Sequence, residues 1–217
     1  MARVATGFGS APFHKIDGPY TVTIKDSFVG FVTATFTDDN SNDVEVTLSE
    51  VPWVVTGTVT PVAAEKNHQG IVSVAGTLTL GSEDSLALDE NGMYVAFLCR
   101  FPDDTDQGIT LGLTDGADNV GFQYDAGKIT AVADDEEVEF DNVTVGADEW
   151  VLLEMAATDS SVTARVTTAD NEQTVQLNKS LAGTVEVVVD ATSNEVELDT
   201  FVLRHVLPND ISEYLGA

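Results

Sequence analysis

The sequence predicts an all-β protein, built as an antiparallel β-sandwich. Apolar and polar residues alternate along many short runs, which is the pattern of a strand with one buried face. Turn residues such as Gly, Asp and Asn interrupt these runs about every 8–12 residues. No window keeps a helical spacing of apolar residues, so folds that need helices between their strands are set aside.

The chain has 217 residues, which suits one large sandwich. We predict an extended N-terminal arm over residues 1–24, the sandwich over residues 25–207 and a short C-terminal segment over residues 208–217 with one helical turn. No stretch after residue 25 is rich enough in Gly, Ser or Pro to divide the sandwich.

The predicted arm carries glycines and prolines at spacings too close for a long regular element. Phe8, Phe13 and Ile16 lie between them. Three apolar anchors among glycines suit a segment that becomes ordered against a neighbouring subunit, and we predict this assembly role for the arm. A frayed tail is the alternative.

Several alternating runs precede residue 92 and follow residue 170. The earlier runs are predicted strands near residues 20–24, 28–36, 44–48, 52–59, 71–74, 78–80 and 86–88. The later ones lie near residues 175–177, 185–189 and 196–203. In the last run Phe201 and Leu203 have the opposite parity to Val196 and Leu198, which predicts a bulge near Asp199-Thr200.

The central stretch supplies two long strands, Met93 to Phe101 and Trp150 to Ala157. The odd positions of the first are all apolar, so they should face the core, and the second face should be partly covered. Five residues are predicted to be buried between two sheets: Phe97, Leu111, Phe122, Trp150 and Leu152. Cys99 should be a small buried hydrophobe.

The net charge narrows the range of partners. With 37 acidic and 9 basic residues, the formal charge is −28. We therefore predict no nucleic-acid partner and no association with anionic membranes, because the field repels both. No apolar run approaches the ~20 residues of a membrane span, and no signal-peptide core occurs, so we expect a soluble protein made in a cytoplasm.

Clustered aspartates form two weak candidates for a cation site. Asp103, Asp104 and Asp106 are one group, and Asp115 and Asp118 are the other. Hard cations take loop carboxylates, but neither group fits the EF-hand pattern. We predict solvated turns and no cofactor, with calcium as the alternative. The single cysteine excludes an intrachain disulfide and a Cys-rich zinc site.

Catalytic motifs are not recognisable. The chain lacks a Gly-x-Ser-x-Gly elbow and the Walker and Rossmann glycine motifs. Its three histidines share no metal-ligand spacing: His14, His68 and His205. Two carboxylate pairs stand at alternate strand positions, as in glycoside cleavage: Glu137 with Glu139 and Glu195 with Glu197. Such pairs are expected on the outer face of so acidic a chain, and we predict that the protein is not an enzyme.

Four aromatic residues could stack on sugar rings: Trp53, Trp150, Tyr94 and Tyr124. Both tryptophans lie within alternating strands. Packing in the core is therefore the prediction for them.

Four central segments carry a family likeness. They are YVAFLCRF from Tyr94, ITLGLTDG from Ile109, VGFQY from Val120 and EWVLLE from Glu149. Together they resemble concanavalin A-like (laminin G-like) jelly-roll sandwiches. More narrowly, they resemble the versions found as virion proteins of tailed phages and related viruses. The resemblance spans about residues 26 to 205.

The resemblance implies a structural virion protein, such as a capsid decoration or cement protein or a head or tail fibre protein. It implies location on the virion, a major capsid protein or other virion protein as partner, and a homo-oligomer such as a trimer. The alternative is a carbohydrate-binding module for host attachment, and a glycan hydrolase or lyase is less expected. This sandwich hosts all these functions. The legume-lectin metal ligands and the glucanase acid motif are not recognisable here.

Overall fold

The computed structural model describes most of the chain from residue 51 to residue 205 and four short segments before it. The described ranges are 14–15, 22–26, 34–35, 44–48, 51–63, 65, 68, 71–80, 86–88, 90, 92–192 and 194–205. Side chains are described in these ranges from residue 53 to residue 203, apart from residue 87.

The predicted all-β fold is confirmed. The described residues form strands and turns without a helix, and hence without a helix that could cross a membrane. The strands are β1 (His14–Lys15), β2 (Val22–Asp26), β3 (Ala34–Thr35), β4 (Val44–Leu48), β5 (Val51–Pro61), β6 (Val72–Leu80), β7 (Leu86–Leu88), β8 (Met93–Arg100), β9 (Gln107–Thr114), β10 (Asn119–Asp125), β11 (Lys128–Ala133), β12 (Glu136–Glu139), β13 (Trp150–Ala157), β14 (Val162–Thr167), β15 (Glu172–Leu177), β16 (Gly183–Asp190) and β17 (Val196–His205).

The strands pair antiparallel and form two layers. Sheet A has the order β2-β17-β8-β13-β14-β15, and β1 pairs with β2 at its edge. Sheet B has the order β5-β6-β16-β9-β10-β11-β12. The short strands β3 and β4 pair with β5, and β7 pairs with the start of β16. This two-layer arrangement is the jelly-roll sandwich that the resemblance predicts.

The two sheets meet where β6 contacts both β16 and β17. Residues 77–80 of β6 pair with β16, while residues 72–74 pair with the start of β17. The register between β17 and β8 shifts between Leu198 and Thr200, which leaves Asp199 unpaired and confirms the predicted bulge. After this bulge Phe201 turns inward opposite Phe97.

The core lies between the sheets, and several of its aromatic contacts involve residues that join distant strands. Phe201 packs edge-on against Trp53, with centroids 5.1 Å apart, and lies 5.4 Å from Phe97. Phe101 stacks on Tyr124 at 3.7 Å. All five rings are buried. Burial raises the pKa of Tyr124 to about 12 and raises the pKa of the Cys99 thiol, so Cys99 is the inert hydrophobe that the sequence predicts.

Two of the five predicted core residues do not lie between the sheets. Phe97, Leu111 and Phe122 are buried as expected. Trp150 and Leu152 were predicted wrongly, because Val151 and Leu153 take the inward positions of β13. Both parities of this strand are apolar, so alternation alone could not decide which side faces the core.

A glycine pair brings β9 and β10 close together. Gly112 lies opposite Gly121 in the register. A Cβ atom on Gly112 would stand 2.2 Å from the carbonyl oxygen of Val120 and 2.7 Å from the Cα of Gly121. Real Cβ atoms do not approach backbone so closely, so this contact explains the glycine within ITLGLTDG.

Candidate functional site

The candidate site is the outer face of sheet A, the side turned away from the core. On β8, Phe97 and Cys99 face the core, and the residues at the even positions face outward. The register then aligns outward residues of four strands. They are Tyr94, Ala96, Leu98 and Arg100 on β8, Trp150, Leu152, Glu154 and Ala156 on β13, Thr163, Arg165 and Thr167 on β14, and Thr200 and Val202 on β17.

Glu154 is the centre of the first polar group, the Glu154 cluster, with Tyr94 and Arg165. The phenol of Tyr94 donates a hydrogen bond of 2.7 Å to Oε1 of Glu154. Nε and Nη2 of Arg165 lie 2.7 and 2.6 Å from Oε2. Glu154 is only 6% exposed, so its charge needs these partners. The three side chains therefore hold one another in place.

Arg100 is the centre of the second polar group, the Arg100 cluster, with Glu65, Glu197 and Trp150. Its Nη1 lies 2.7 Å from Oε1 of Glu65, and its Nε donates to Oε2 of Glu197. Its guanidinium carbon lies 4.9 Å from the ring centroid of Trp150, a cation–π contact. Glu197 is 7% exposed, so Arg100 compensates a buried charge.

The pKa shifts in the Arg100 cluster follow from these contacts. Burial alone would lower the pKa of Arg100, but the hydrogen bonds and charges of Glu197 and Glu65 outweigh it and raise that pKa. The hydrogen bond from Arg100 lowers the pKa of Glu65. Both shifts favour the charged forms. Arg100 and Glu65 are thus both charged around neutral pH.

His68 extends the Arg100 cluster on its loop side. Its ring stacks on Trp150 at 4.1 Å with an interplanar angle of 11°. Its Nδ1 lies 3.3 Å from Oδ2 of Asp199, the bulge residue, but that buried nitrogen makes no hydrogen bond. The indole nitrogen of Trp150 lies 3.5 Å from Oε2 of Glu65. Reciprocal backbone hydrogen bonds between Glu65 and His68 fix both residues on one turn.

An apolar strip separates the two clusters. Leu98 and Leu152 face each other across β8 and β13 and are partly exposed. Ala96 precedes Leu98 on the same side of β8 and is buried, and the buried Ala156 lies opposite Tyr94 at the end of the strip. The seven residues from Tyr94 to Arg100 span about 20 Å of strand. The face is therefore an elongated apolar surface with a polar, aromatic group at each end.

The partly exposed aromatic rings all belong to this face. Among the described residues, Tyr94 and Trp150 are the only aromatic side chains that are not buried. Of the four predicted candidates, Trp53 and Tyr124 pack in the core, as was predicted for Trp53. The core position predicted for Trp150 was wrong.

The outer face of sheet B differs in chemistry. Its described residues are mainly threonines, small residues and acids, such as Thr77, Thr110, Gln123, Thr130 and Asp190. The described part of that face contains no aromatic side chain. It therefore provides matched control positions for experiments on sheet A.

The predicted carboxylate pairs take different environments. Glu137 and Glu139 are exposed on the edge strand β12, and Lys128 lies 2.6 Å from Glu139. Glu195 accepts a hydrogen bond of 2.5 Å from Ser73, whereas Glu197 belongs to the Arg100 cluster. Neither pair shares partners.

The aspartates proposed as weak cation ligands stabilise turns. Asp103 accepts hydrogen bonds from the backbone and hydroxyl of Thr105, and Asp115 accepts from the backbone of Ala117 and Asp118. These bonds lower the pKa of both aspartates. Among the described side chains, no three His, Cys, Asp or Glu residues lie close enough together to hold a metal ion. This finding covers the other candidates as well, Asp104, Asp106 and Asp118.

The arm residues Phe8, Phe13 and Ile16 lie outside the described residues, as does the C-terminal segment 208–217. Within residues 1–24, β1 and most of β2 are described, and β2 pairs with β17 at the edge of sheet A. The assembly role of the arm stays a prediction.

Sequence reasoning missed Glu154, Arg165, Glu65 and Asp199. One sign was available for Glu154, which is the only charged residue in the apolar run WVLLEMAA of β13. A lone charge at an outward position of such a strand indicates a paired, partly buried group. The other three come from distant segments, and no local pattern connects them.

Comparison with known proteins extends this description only a little. No family model matches the chain, and no curated protein matches it. Among solved structures, the Ca²⁺-bound exoplasmic/lumenal domain of VIP36 is 9% identical, with a TM-score of 0.48, and the match covers 73% of this chain and 86% of that one. The CBM2 module of the Lactobacillus casei BL23 phage J-1 evolved Dit is 9% identical, with a TM-score of 0.38, over 85% and 90% of the two chains.

Glycosidases also occur among the similar structures. A xylan beta-1,4-xylosidase from Bacillus halodurans C-125 is 10% identical with a TM-score of 0.39, over 64% of this chain. The match spans about a third, 33%, of the xylosidase. The prediction from sequence that the protein is not an enzyme is therefore corrected, because that class stands among the proteins with a similar sandwich. Identities this low bring no activity to this chain.

Proposed function

We propose that the protein binds a carbohydrate on the outer face of sheet A. The observation that carries this proposal is the placement of the two partly exposed aromatic side chains. Tyr94 and Trp150 stand at opposite ends of one apolar strip, each within a charged cluster. A binding surface of this type is mostly apolar, with a few polar groups that fix the orientation of the ligand.

The chemistry of a sugar fits such a surface. A pyranose ring has apolar C–H faces and a rim of hydroxyl groups. Its faces pack on aromatic and aliphatic side chains, here Trp150, Tyr94, Leu98 and Leu152. Its hydroxyls exchange hydrogen bonds with groups that are already held in place. A face about 20 Å long, with an aromatic ring at each end, suits an oligosaccharide better than a single sugar.

Glu154 acts in this proposal as a positioning residue. It is too buried to offer much surface to a ligand. Its two oxygens hold the phenol of Tyr94 and the guanidinium of Arg165. A ligand then meets groups whose side-chain entropy was lost during folding rather than during binding, which favours affinity.

An array of bacterial, fungal, plant and animal glycans tests the proposal. We expect the protein to bind at least one oligosaccharide of the array, and Trp150→Ala to weaken that binding by at least about tenfold. Gln123→Ala, on the outer face of sheet B, is the matched control and should bind like the original protein. Absence of any bound glycan, or equal binding by Trp150→Ala, would contradict the proposal, provided that melting curves show both variants folded.

The location of this activity is a further part of the proposal. The resemblance of the central segments to virion proteins supports placing the domain on a virus particle, where carbohydrate binding would serve attachment to a host surface. The roles in capsid decoration and as a head or tail fibre, the capsid-protein partner and the homo-oligomer stay predictions. The copy number in purified particles separates them, because a decoration protein is abundant and an attachment protein is not.

A further inference from the structure

We infer that the ligand of the outer face of sheet A is a neutral glycan, and that glycans carrying carboxylate, sulfate or phosphate groups are rejected. This inference rests on the proposed function and specifies its substrate class. It comes from the charges of the face and from how each described cation is already used.

The two arginines of the clusters, whose side chains the structure describes, both hold buried carboxylates. Arg165 contacts Oε2 of Glu154 at 2.6 and 2.7 Å, and Arg100 holds Glu197 and Glu65. Glu154 and Glu197 are 6% and 7% exposed. An anionic ligand that recruited either guanidinium would leave one of these carboxylates without its partner. A buried charge without a partner is strongly unfavourable. The contacts that the anionic ligand gains would therefore have to outweigh the loss of an arginine–carboxylate pair.

The remaining charges of the site also disfavour an anionic glycan. Among the side chains that the structure describes, four carboxylates belong to the two clusters and their margin, against two guanidinium groups; the carboxylates are those of Glu65, Glu154, Glu197 and Asp199. The whole chain carries −28. An anionic glycan would therefore meet like charge in both clusters, and it would be repelled at long range by the net charge of the chain. A neutral glycan avoids both costs and still uses the apolar strip and the two rings.

Two further cationic residues allow the alternative, binding of an anionic glycan, to be tested. Lys25 lies opposite Val202 in the register between β2 and β17, and Arg204 lies opposite Tyr94 in the register between β17 and β8. Because the arginines of both clusters are engaged, an anionic glycan would have to use a cation elsewhere, and the register places these two positions beside the face. The variant K25Q/R204Q therefore separates the two ligand classes.

The test compares immobilised neutral oligosaccharides of glucose, mannose, galactose and xylose with oligogalacturonate and sialylated oligosaccharides of matched length. Binding is measured at about 20 mM and about 500 mM NaCl. We expect neutral probes to bind at least about tenfold more tightly than anionic ones. We also expect little dependence on salt for the neutral probes and no more than about a twofold change in K25Q/R204Q.

Tighter binding of an anionic probe, weakened by salt and lost in K25Q/R204Q, would overturn the inference while leaving the proposed function intact. Binding of neither class, by a protein that melting curves show to be folded, would overturn both together. Equal affinity for the two classes would also contradict the inference, since it would mean that the paired guanidinium groups impose no selection.

Discussion

Replacing Phe201 with alanine is expected to lower the free energy of unfolding by about 3–5 kcal/mol. Phe201 is fully buried and joins the two sheets, because its ring contacts Trp53 of sheet B and Phe97 of sheet A. Alanine would leave a cavity that neither neighbour can fill without leaving its own contacts. Chemical denaturation, followed by far-ultraviolet circular dichroism, measures the change.

Thr174→Ala is the control for this prediction. Thr174 is exposed on β15 at the edge of sheet A, so its replacement should change the free energy of unfolding by no more than about 0.5 kcal/mol. A loss below about 1 kcal/mol for Phe201→Ala would show that the sheets do not pack through this aromatic group. The register between β17 and β8 after the bulge would then need revision.

Arg165→Met is expected to cost about 3–5 kcal/mol, because it leaves the buried carboxylate of Glu154 without its cation. Methionine keeps much of the aliphatic bulk of arginine, so the decrease in the free energy of unfolding comes from the missing charge rather than from poorer packing. The double variant Arg165→Met/Glu154→Leu removes both charges and should recover most of the stability. Comparing the single and the double variant separates the free energy of the ion pair from the other contributions of the two side chains.

Two outcomes would contradict this account of the Glu154 cluster. If Arg165→Met costs less than about 1 kcal/mol, the pair behaves as an exposed salt bridge and Glu154 is not buried as described. If the double variant is no more stable than Arg165→Met, the loss came from packing. In either case the ion pair with Arg165 would no longer be what holds Glu154 in place.

Strand alternation predicted the inward side where one parity is bulkier than the other, and failed where the two parities are alike. β8 has a bulky odd parity and β17 changes parity at Asp199, so the inward side of β8 and the bulge could both be read from sequence. In β13 both parities are apolar, so Trp150 and Leu152 were placed on the wrong side. The inward side of such a strand depends on the packing of the opposite sheet, which local sequence does not contain.

The site was less accessible to prediction than the fold. Trp150 and Tyr94 could be named as candidates because exposed aromatic rings are a general feature of sugar binding. The environment of these two rings could not be predicted, since the Arg100 cluster joins residues from position 65 to position 197. Such contacts form only after the sheets pair, and one sequence carries no sign of the register that aligns them.

The most direct test of carbohydrate binding uses the two tryptophans of the chain as internal probe and control. Trp150 is partly exposed on the outer face of sheet A, whereas Trp53 is fully buried in the core. Nuclear magnetic resonance of protein labelled with heavy nitrogen resolves one indole N–H signal for each, and Trp150→Phe assigns them. During titration with the strongest glycan from the array, we predict that the Trp150 signal moves and saturates while the Trp53 signal stays in place. A saturating titration that leaves the Trp150 signal unmoved would show that the glycan binds elsewhere, and would contradict the assignment of the outer face of sheet A as the binding site.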